Sequence, residues 1–348
     1  MKNLVITLHG YGRLLKEKFR GKPLFDYADV PNFKKLTDKG RWGYIRLGRT
    51  FEKAYFGLFG DVSDFPGEAY IRSLENHSFN ETSGTFFLAG FVSSADGRII
   101  EADLKLTDRE INGLLRSVIP DDDGFRFRVK GGEAIIWFQK KLPMRDIPFP
   151  VSLVNRKFRD ILHPEGEFGE INSIILNSAG VLPGHPINMV REDLSEPSGN
   201  LLWLWGMGQK RQVVSFSDRI GKRTLCLSTE NGLKGTAEIL GFQEISDISM
   251  YGGESFLWAI NSLEPEENHS IWLKRFERLD RDLLGHMTDT AEGEDFRILF
   301  ILDSFSGRNS PVKNEWGIYC LSSNGSPSPP RPGRHIKKGR LFMEAFSG

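Results

Sequence analysis

Polar side chains that could hold a metal ion or act as a nucleophile follow four apolar runs of the chain. They are His9 after Leu4–Leu8, Arg49 and Thr50 after Trp42–Leu47, Glu264 and His269 after Ser255–Ile260, and Asp303 after Phe296–Leu302. Carboxylate and imidazole groups are common metal ligands, and a metal ion can activate a hydroxyl as a nucleophile. One hypothesis is a metal site whose nucleophile is Thr50 and whose ligands are Asp303, Glu264, His269 and His9. The alternative is that each of them is an ordinary polar loop residue.

A second set of polar residues surrounds a tryptophan-rich segment. The sequence reads HPINMVR from His185 to Arg191 and GNLLWLWGMGQK from Gly199 to Lys210. Arg191 and Lys210 could supply fixed positive charge for a phosphorylated ligand, because arginine binds phosphate through paired hydrogen bonds and lysine acts as a point charge. The alternative is a tryptophan-rich core strand with two surface cations.

The elements that must position these residues alternate between strand and helix, as in an α/β protein. Strand and helix patterns alternate after residue 200, and Phe296–Leu302 is a nearly continuous apolar run, as in central parallel strands. The amphipathic stretch Ile271–His286 predicts a long helix. Because open parallel sheets bind ligands beyond the carboxyl ends of their strands, the first set of residues should lie at one edge.

The middle of the chain has a different pattern, which predicts a separate domain. Two hairpins are expected, with turns at 95–98 and 130–132. Between them, Thr107 and Glu110 form a capping box that predicts the start of a helix. We therefore expect a smaller α+β domain at residues 65–175, inserted into a core formed by residues 1–64 and 176–348.

The composition excludes several classes of function. The 348 residues include 46 Lys and Arg and 46 Asp and Glu, so the formal net charge is zero. The chain therefore lacks the positive charge of a general nucleic-acid-binding domain. No apolar run reaches the roughly 18–20 residues that span a bilayer, and two cysteines cannot form a disulfide scaffold. We expect a cytoplasmic protein with no nucleic-acid or membrane partner.

Several of these segments resemble those of the archaeal-type cofactor-independent phosphoglycerate mutases, a family of the alkaline phosphatase superfamily. The specific part is HPIN-x-x-R followed by GNLLWLWGMGQK, and weaker likenesses lie in the same order at 30–40, 93–115 and 339–343. The resemblance implies an alkaline-phosphatase-like α/β fold, with a doubly wound, mostly parallel sheet and an inserted α+β domain.

The resemblance also implies roles for individual residues. His185, Asn188 and Arg191 match the family's motif position by position and are expected to bind substrate. Gln209 occupies the position of a family lysine, and Lys210 follows it. Thr50 falls on the family's nucleophilic serine when the sequences are aligned from Asp61.

Most metal ligands of the family are replaced in this chain. The family transfers a phosphoryl group through that serine with two divalent metals, which lower the pKa of the hydroxyl and supply positive charge. Here the loop after the first strand has lost its acids and contains Arg13, and Asp303 is the one retained acid. Glu264 and His269 are the nearest substitutes for another acid and histidine, and Arg49 adds a fixed charge close to the nucleophile motif.

Two main hypotheses follow from these replacements. The first is a noncatalytic protein that needs no cofactor and binds a phosphorylated small molecule or a protein partner, with arginines in place of the metals. The second is an active phosphoglycerate mutase or related phosphotransferase, with Thr50 as nucleophile and Mn²⁺ or Zn²⁺ bound. A purely structural subunit that binds no small molecule is a third alternative.

Overall fold

The computed structural model describes most of the chain in two compact units. The described residues are 2–38, 40–47, 50–75, 79, 83–120, 124–162, 165–228, 233–251, 256–262, 268–286, 295–303, 316–323 and 335–347. Unit 1 comprises Met1–Phe65 and Gln212–Gly348, and unit 2 comprises Pro66–Arg211. No helix in these ranges is both long enough and apolar enough to cross a membrane.

Fifteen strands are found in the described ranges. They are β1 Lys2–His9, β2 Lys18–Phe19, β3 Lys22–Pro23, β4 Arg41–Arg46, β5 Thr85–Ala95, β6 Arg98–Glu101, β7 Phe125–Lys130, β8 Glu133–Phe138, β9 Leu201–Gly208, β10 Thr224–Ser228, β11 Gln243–Ile245, β12 Phe256–Ser262, β13 Phe296–Leu302, β14 Trp316–Ser323 and β15 His335–Ile336. The strands predicted from the apolar runs at 4–8 and 296–302 are confirmed as β1 and β13.

The α-helices of the described ranges connect or cover these strands. They are α1 Gly12–Lys16, α2 Pro31–Thr37, α3 Phe51–Phe59, α4 Glu68–Glu75, α5 Asp108–Val118, α6 Gly169–Val181, α7 Pro186–Asp193, α8 Phe216–Ile220, α9 Lys234–Ile239, α10 His269–Leu279 and α11 Gly339–Ser347. The predicted capping box is present at α5, where the Thr107 hydroxyl accepts from the Glu110 amide and the Glu110 carboxylate accepts from the Thr107 amide.

Unit 1 is built on an eight-stranded sheet. Its strand order is β11-β10-β12-β1-β13-β14-β4-β15, and β14 is antiparallel to both of its neighbours. The register of the central strands sets His9 opposite Ser262 and Leu8 opposite Leu302. The carboxyl ends of β1, β12 and β13 therefore meet at one edge, as the sequence predicts.

Helices cover both faces of this sheet, so the expected doubly wound, mostly parallel fold is confirmed. Val5 of β1 packs with α3, α9 and α11 on one face. Leu4 and Ile6 pack with α1, α2 and α10 on the other face. The alternation along β1 follows from the two-residue period of a strand, and it makes a central strand apolar on both sides.

The long helix expected at 271–286 is α10 followed by a π-helical turn at Asp280–Leu284. Asp280 in this turn is 1% exposed, and its carboxylate accepts hydrogen bonds from the amides of Asn32 and Phe33 at the start of α2. This contact joins residues 247 or more positions apart, so no local sequence pattern encodes it.

Unit 2 is built on an antiparallel sheet in which β5 is the central strand. β5 pairs with β6, β8 and β9, and β7 pairs with β8. The two predicted hairpins are confirmed as β5–β6 and β7–β8. All pairs are antiparallel, and a short turn of the kind that joins β5 to β6 and β7 to β8 permits only this arrangement.

The predicted end of the inserted domain at residue 175 differs from the structure. Residues 176–211, which we assigned to the core, lie in unit 2. The reason is the tryptophan-rich strand β9, which pairs along β5 from Phe86 to Val92 and buries Trp203 completely. This pairing spans more than 100 residues of sequence, so the hairpin and helix patterns near residue 100 could not reveal it.

Candidate functional site

The carboxyl ends of β1 and β13 meet at a buried carboxylate. Asp303 directly follows β13 and is 1% exposed. Its Oδ1 lies 3.0 Å from His9 Nδ1 and accepts a hydrogen bond from the Gly10 amide at 3.0 Å. Its Oδ2 lies 3.2 Å from His9 Nδ1 and accepts a hydrogen bond from the Tyr55 hydroxyl. Each carboxylate oxygen therefore has two donor groups of the chain within hydrogen-bonding distance.

The loop after β1 is shaped to hold this carboxylate. Gly10 has a φ of 80°, in the left-handed region that glycine adopts most easily, and its amide points at Asp303. The main chain adds a hydrogen bond of 2.6 Å from the Gly12 amide to the Asp303 carbonyl. Because β1 and β13 are paired neighbours, their register brings this loop to Asp303.

The hydrogen bonds around Asp303 govern its ionisation. Burial by itself raises the pKa of a carboxyl group, but His9, Tyr55 and the Gly10 amide stabilise the charged form and lower the pKa of Asp303 below its ordinary value. Burial, together with the nearby Asp303 charge, raises the pKa of Tyr55 well above its ordinary value. Asp303 is therefore the charged member and Tyr55 the neutral donor.

Thr50 lies at the N-terminal end of α3. It is the N-cap residue, with φ −115° and ψ 153°, and its side chain makes no capping hydrogen bond. Its Oγ1 is buried and has no hydrogen-bond partner within the described residues. The next residue, Phe51, packs edge-on against the His9 ring with centroids 4.4 Å apart. The helix therefore begins beside the His9–Asp303 pair.

The other predicted metal ligands do not extend this pair. The Nε2 atom of His269 lies 2.8 Å from Glu17 Oε2, and both side chains are substantially exposed. Glu264 and Arg49 lie outside the described residues. Of the three ligand candidates that the structure describes, it brings His9 and Asp303 together and gives His269 a different partner.

The described residues do not fit a two-metal centre. Within the described ranges, no three His, Cys, Asp or Glu side chains form a group that could hold a metal ion. A divalent ion needs several deprotonated ligands with available lone pairs. The oxygens of Asp303 already accept hydrogen bonds from Gly10 and Tyr55, which a metal ion would have to displace.

In unit 2, the residues that match the family motif have partners within the protein. His185 caps α7, since its Nδ1 accepts a hydrogen bond from the Ile187 amide at 3.2 Å. Asn188 is fully buried, and its Nδ2 donates to the carbonyls of Leu182 and Gly199 at 2.8 and 3.1 Å. Its Oδ1 accepts from the Gly199 amide at 2.8 Å. Asn188 therefore joins α7 to the start of β9.

Arg191 is also held by internal contacts. Its Nε donates to the Pro197 carbonyl at 2.9 Å, and its Nη1 lies 3.0 Å from Glu110 Oε1 and 3.1 Å from Glu196 Oε2. Two carboxylates thus balance a guanidinium that is 6% exposed. These contacts stabilise unit 2, and the substrate-binding roles inferred for His185, Asn188 and Arg191 stay predictions.

The tryptophan-rich segment ends in two polar residues, of which the first is buried and the second is exposed. Gln209, at the position of the family's lysine, is 4% exposed and donates from Nε2 to Thr85 Oγ1 at 3.0 Å and to the Leu142 carbonyl. Lys210 is exposed. Its expected role in phosphate binding stays a prediction.

Sequence reasoning missed Tyr55, which completes the contacts of Asp303. Its buried hydroxyl lies on the second turn of α3, and its partner is 248 positions away. The one available signal was its place on a helix expected to start near Thr50. Tyrosine is common in apolar helix faces, so this signal was too weak to single it out.

Comparisons with known proteins reveal relatives over most of the chain, although no protein-family model matches it. The chain is 28% identical over 279 residues to the 2,3-bisphosphoglycerate-independent phosphoglycerate mutase 2 of Methanocaldococcus jannaschii, covering 70% of this chain and 64% of the relative. The 2,3-bisphosphoglycerate-independent phosphoglycerate mutase of Methanobrevibacter smithii is 23% identical over 341 residues, with 85% and 78% covered. The chain is therefore similar over most of its length to phosphoglycerate mutases of this kind. It matches slightly less than two thirds of the length of the Methanocaldococcus protein.

Solved structures share the fold of this chain. A protein of Pyrococcus horikoshii superimposes with a TM-score of 0.65 at 16% identity, covering 99% of this chain and 96% of that one. The cofactor-independent phosphoglycerate mutase of Thermoplasma acidophilum gives 0.54 at 17% identity, covering 99% and 98%. At these identities the likeness establishes the fold, and the resemblance to the phosphoglycerate mutase fold is confirmed.

Proposed function

We propose that this phosphoglycerate-mutase-like protein binds a phosphorylated small molecule and does not carry out the two-metal phosphoryl transfer of its family. The observation that carries the proposal is the environment of Asp303, the acid retained from the family's metal ligands. Its oxygens accept hydrogen bonds from Gly10 and Tyr55 and contact His9. A carboxylate occupied in this way is a poor metal ligand, because binding an ion would leave buried donors unpaired.

The start of α3 supports binding of a phosphoryl group. Helix N-termini present amide groups without intrahelical partners and attract anions. Here the N-cap side chain of Thr50 makes no capping hydrogen bond, and its own Oγ1 lacks a partner among the described residues. A phosphate could accept hydrogen bonds from both.

The first experiment measures bound metal and ligand separately. The full chain is loaded with Mn²⁺ or Zn²⁺ and desalted, and metal per chain is measured by mass spectrometry. We expect far less than one ion per chain. Calorimetry with 3-phosphoglycerate should detect binding in the presence of a chelator, and Thr50→Val should weaken it. Stoichiometric metal that is lost in Asp303→Ala would overturn the proposal, as would ligand binding that requires metal.

A second candidate is an active mutase or related phosphotransferase with Thr50 as nucleophile. The observation in its favour is the buried Thr50 Oγ1 at a helix N-terminus, which has no hydrogen-bond partner among the described residues. Such a hydroxyl is available to the base or metal ion that activates a nucleophile. This candidate predicts Mn²⁺- or Zn²⁺-dependent conversion of 3-phosphoglycerate and a phosphothreonine detectable by mass spectrometry, both absent in Thr50→Ala. Full activity of Thr50→Ala, or activity unaffected by a chelator, would exclude this mechanism.

A further inference from the structure

Unit 2 contains a cleft with a buried apolar floor and a charged mouth. Its volume is about 150 Å³. The floor is buried and mostly apolar, and its apolar part is formed by Leu162, Ile171, Ile175, Trp203 and Leu204. A cavity of roughly this volume with aliphatic walls can hold a benzene-sized molecule. The cleft can therefore take an apolar group of about the size of an aliphatic side chain.

The wall of the cleft is braced by a hydrogen bond. Trp203 donates from Nε1 to the Pro148 carbonyl at 3.0 Å, which fixes the indole of β9 against the segment that lines the mouth. Asn172 of α6 adds a polar side chain to the floor, and it is 3% exposed. The cleft is therefore formed by ordered side chains of β9, α6 and the 145–148 segment.

Two opposite charges line the mouth. Arg145 and Asp146 are both exposed, and neither makes an ion pair with any described residue. The Arg145 guanidinium lies over the Phe168 ring, 3.5 Å from its centroid. Partial burial lowers the pKa of Arg145 from its ordinary value. An anionic group of a ligand could pair with it.

We propose that this cleft binds a small apolar α-amino acid. The α-carboxylate pairs with Arg145, the α-ammonium group pairs with Asp146, and the aliphatic side chain covers the floor between Ile171 and Leu204. An isolated carboxylate would be repelled by Asp146, and an isolated amine by Arg145. A zwitterion satisfies both charges, while its side chain removes apolar surface from water.

The first test compares three ligands that share one aliphatic group. L-Leucine, 4-methylpentanoate, which lacks the ammonium group, and 3-methylbutylamine, which lacks the carboxylate, are titrated into the full chain by saturation-transfer NMR. We expect leucine to bind at least about tenfold more tightly than either analogue. Equal affinity for leucine and 4-methylpentanoate would overturn the proposal, and so would the absence of leucine binding at about 10 mM.

The second test uses variants at the mouth. Arg145→Gln and Asp146→Asn should each weaken leucine binding about tenfold. Asp146→Asn should also abolish the preference for leucine over 4-methylpentanoate. The matched control is Arg159→Gln, because Arg159 also lies over an aromatic ring in unit 2, 6.0 Å from the Phe158 centroid, and does not line the cleft. Unchanged leucine affinity in a folded Arg145→Gln variant would contradict the proposal.

Discussion

The contacts of Asp303 show how a buried carboxylate is satisfied from within unit 1. Its oxygens are satisfied by the Gly10 amide, the Tyr55 hydroxyl and the His9 imidazole, all from unit 1. A buried charge is tolerated when its hydrogen bonds are complete, and it becomes costly when a donor is removed. The oxygens of Asp303 are therefore engaged by groups of the protein itself.

Tyr55→Phe should destabilise the protein by about 1.5–3 kcal/mol, because it removes a donor from a buried carboxylate. The measurement is the free energy of unfolding from urea denaturation. The control is Tyr27→Phe, since Tyr27 is 41% exposed and donates to the Phe19 carbonyl at the surface. We expect the control to change stability by less than about 0.5 kcal/mol. Equal effects of the two substitutions would contradict the role given to Tyr55.

Ionisation of Glu110 should make the free energy of unfolding depend on pH. Burial raises the pKa of its carboxyl group, but the Thr107 amide and hydroxyl and the Arg191 guanidinium outweigh burial and lower the pKa below the ordinary value of 4.5. A lowered folded-state pKa stabilises the protein above the unfolded-state value. This stability is lost as pH falls from 4.5 through the folded-state pKa.

The corresponding measurement is the free energy of unfolding between pH 7 and about pH 3. Glu110→Gln should be less stable than the natural chain at pH 7, and the difference should shrink as pH falls below 4.5. A difference that stays constant over the whole range would show that ionisation of Glu110 does not contribute to stability.

A glycine of the tryptophan-rich strand β9 determines how closely helix α4 packs against that strand. Gly206 and Gly208 both lie in β9. In the structure, a Cβ atom at Gly208 would lie 2.5 Å from the Tyr70 amide nitrogen and 3.1 Å from the Pro66 carbonyl oxygen. Helix α4 therefore occupies the space that this glycine leaves, and the glycine is required for packing of α4 on β9.

Gly208→Ala should destabilise unit 2 by about 1–3 kcal/mol, because the new methyl group meets main-chain atoms of α4. Gly180→Ala should instead increase the free energy of unfolding by about 0.4–1 kcal/mol. Gly180 lies in α6, and a Cβ atom there would meet nothing within 4 Å. Urea denaturation of both variants checks the pair. Equal stability of the two would contradict the close packing of α4 on β9.

At the level of the whole molecule, the two units differ in chain continuity. Unit 2 is one continuous segment, Pro66–Arg211, whereas unit 1 is assembled from two segments. Every strand pair of the unit 2 sheet lies within that segment. Its length is typical of independently folding domains.

A polypeptide of residues 66–211 should therefore fold alone, with a cooperative urea transition and dispersed amide resonances. A polypeptide of residues 65–175 should not, because it lacks β9, which pairs with β5 and buries Trp203. Cooperative folding of the shorter polypeptide would contradict the boundary at Arg211.

Local patterns in the sequence determined most elements of this protein. The apolar runs predicted β1 and β13, and Thr107 with Glu110 predicted the start of α5, because strand burial and helix capping depend on residues a few positions apart. The family motif predicted the fold as a whole. It also singled out Asn188 and Arg191, both of which the structure buries.

The tertiary structure decided what these residues contact. Asp303 meets His9 and Tyr55, which are 294 and 248 positions away, and Arg191 meets Glu110, 81 positions away. The pairing of β9 with β5 moved the boundary of the inserted domain for the same reason. The partners of a buried polar group depend on strand order and register, which arise from packing of the whole chain and leave no periodic trace in the sequence.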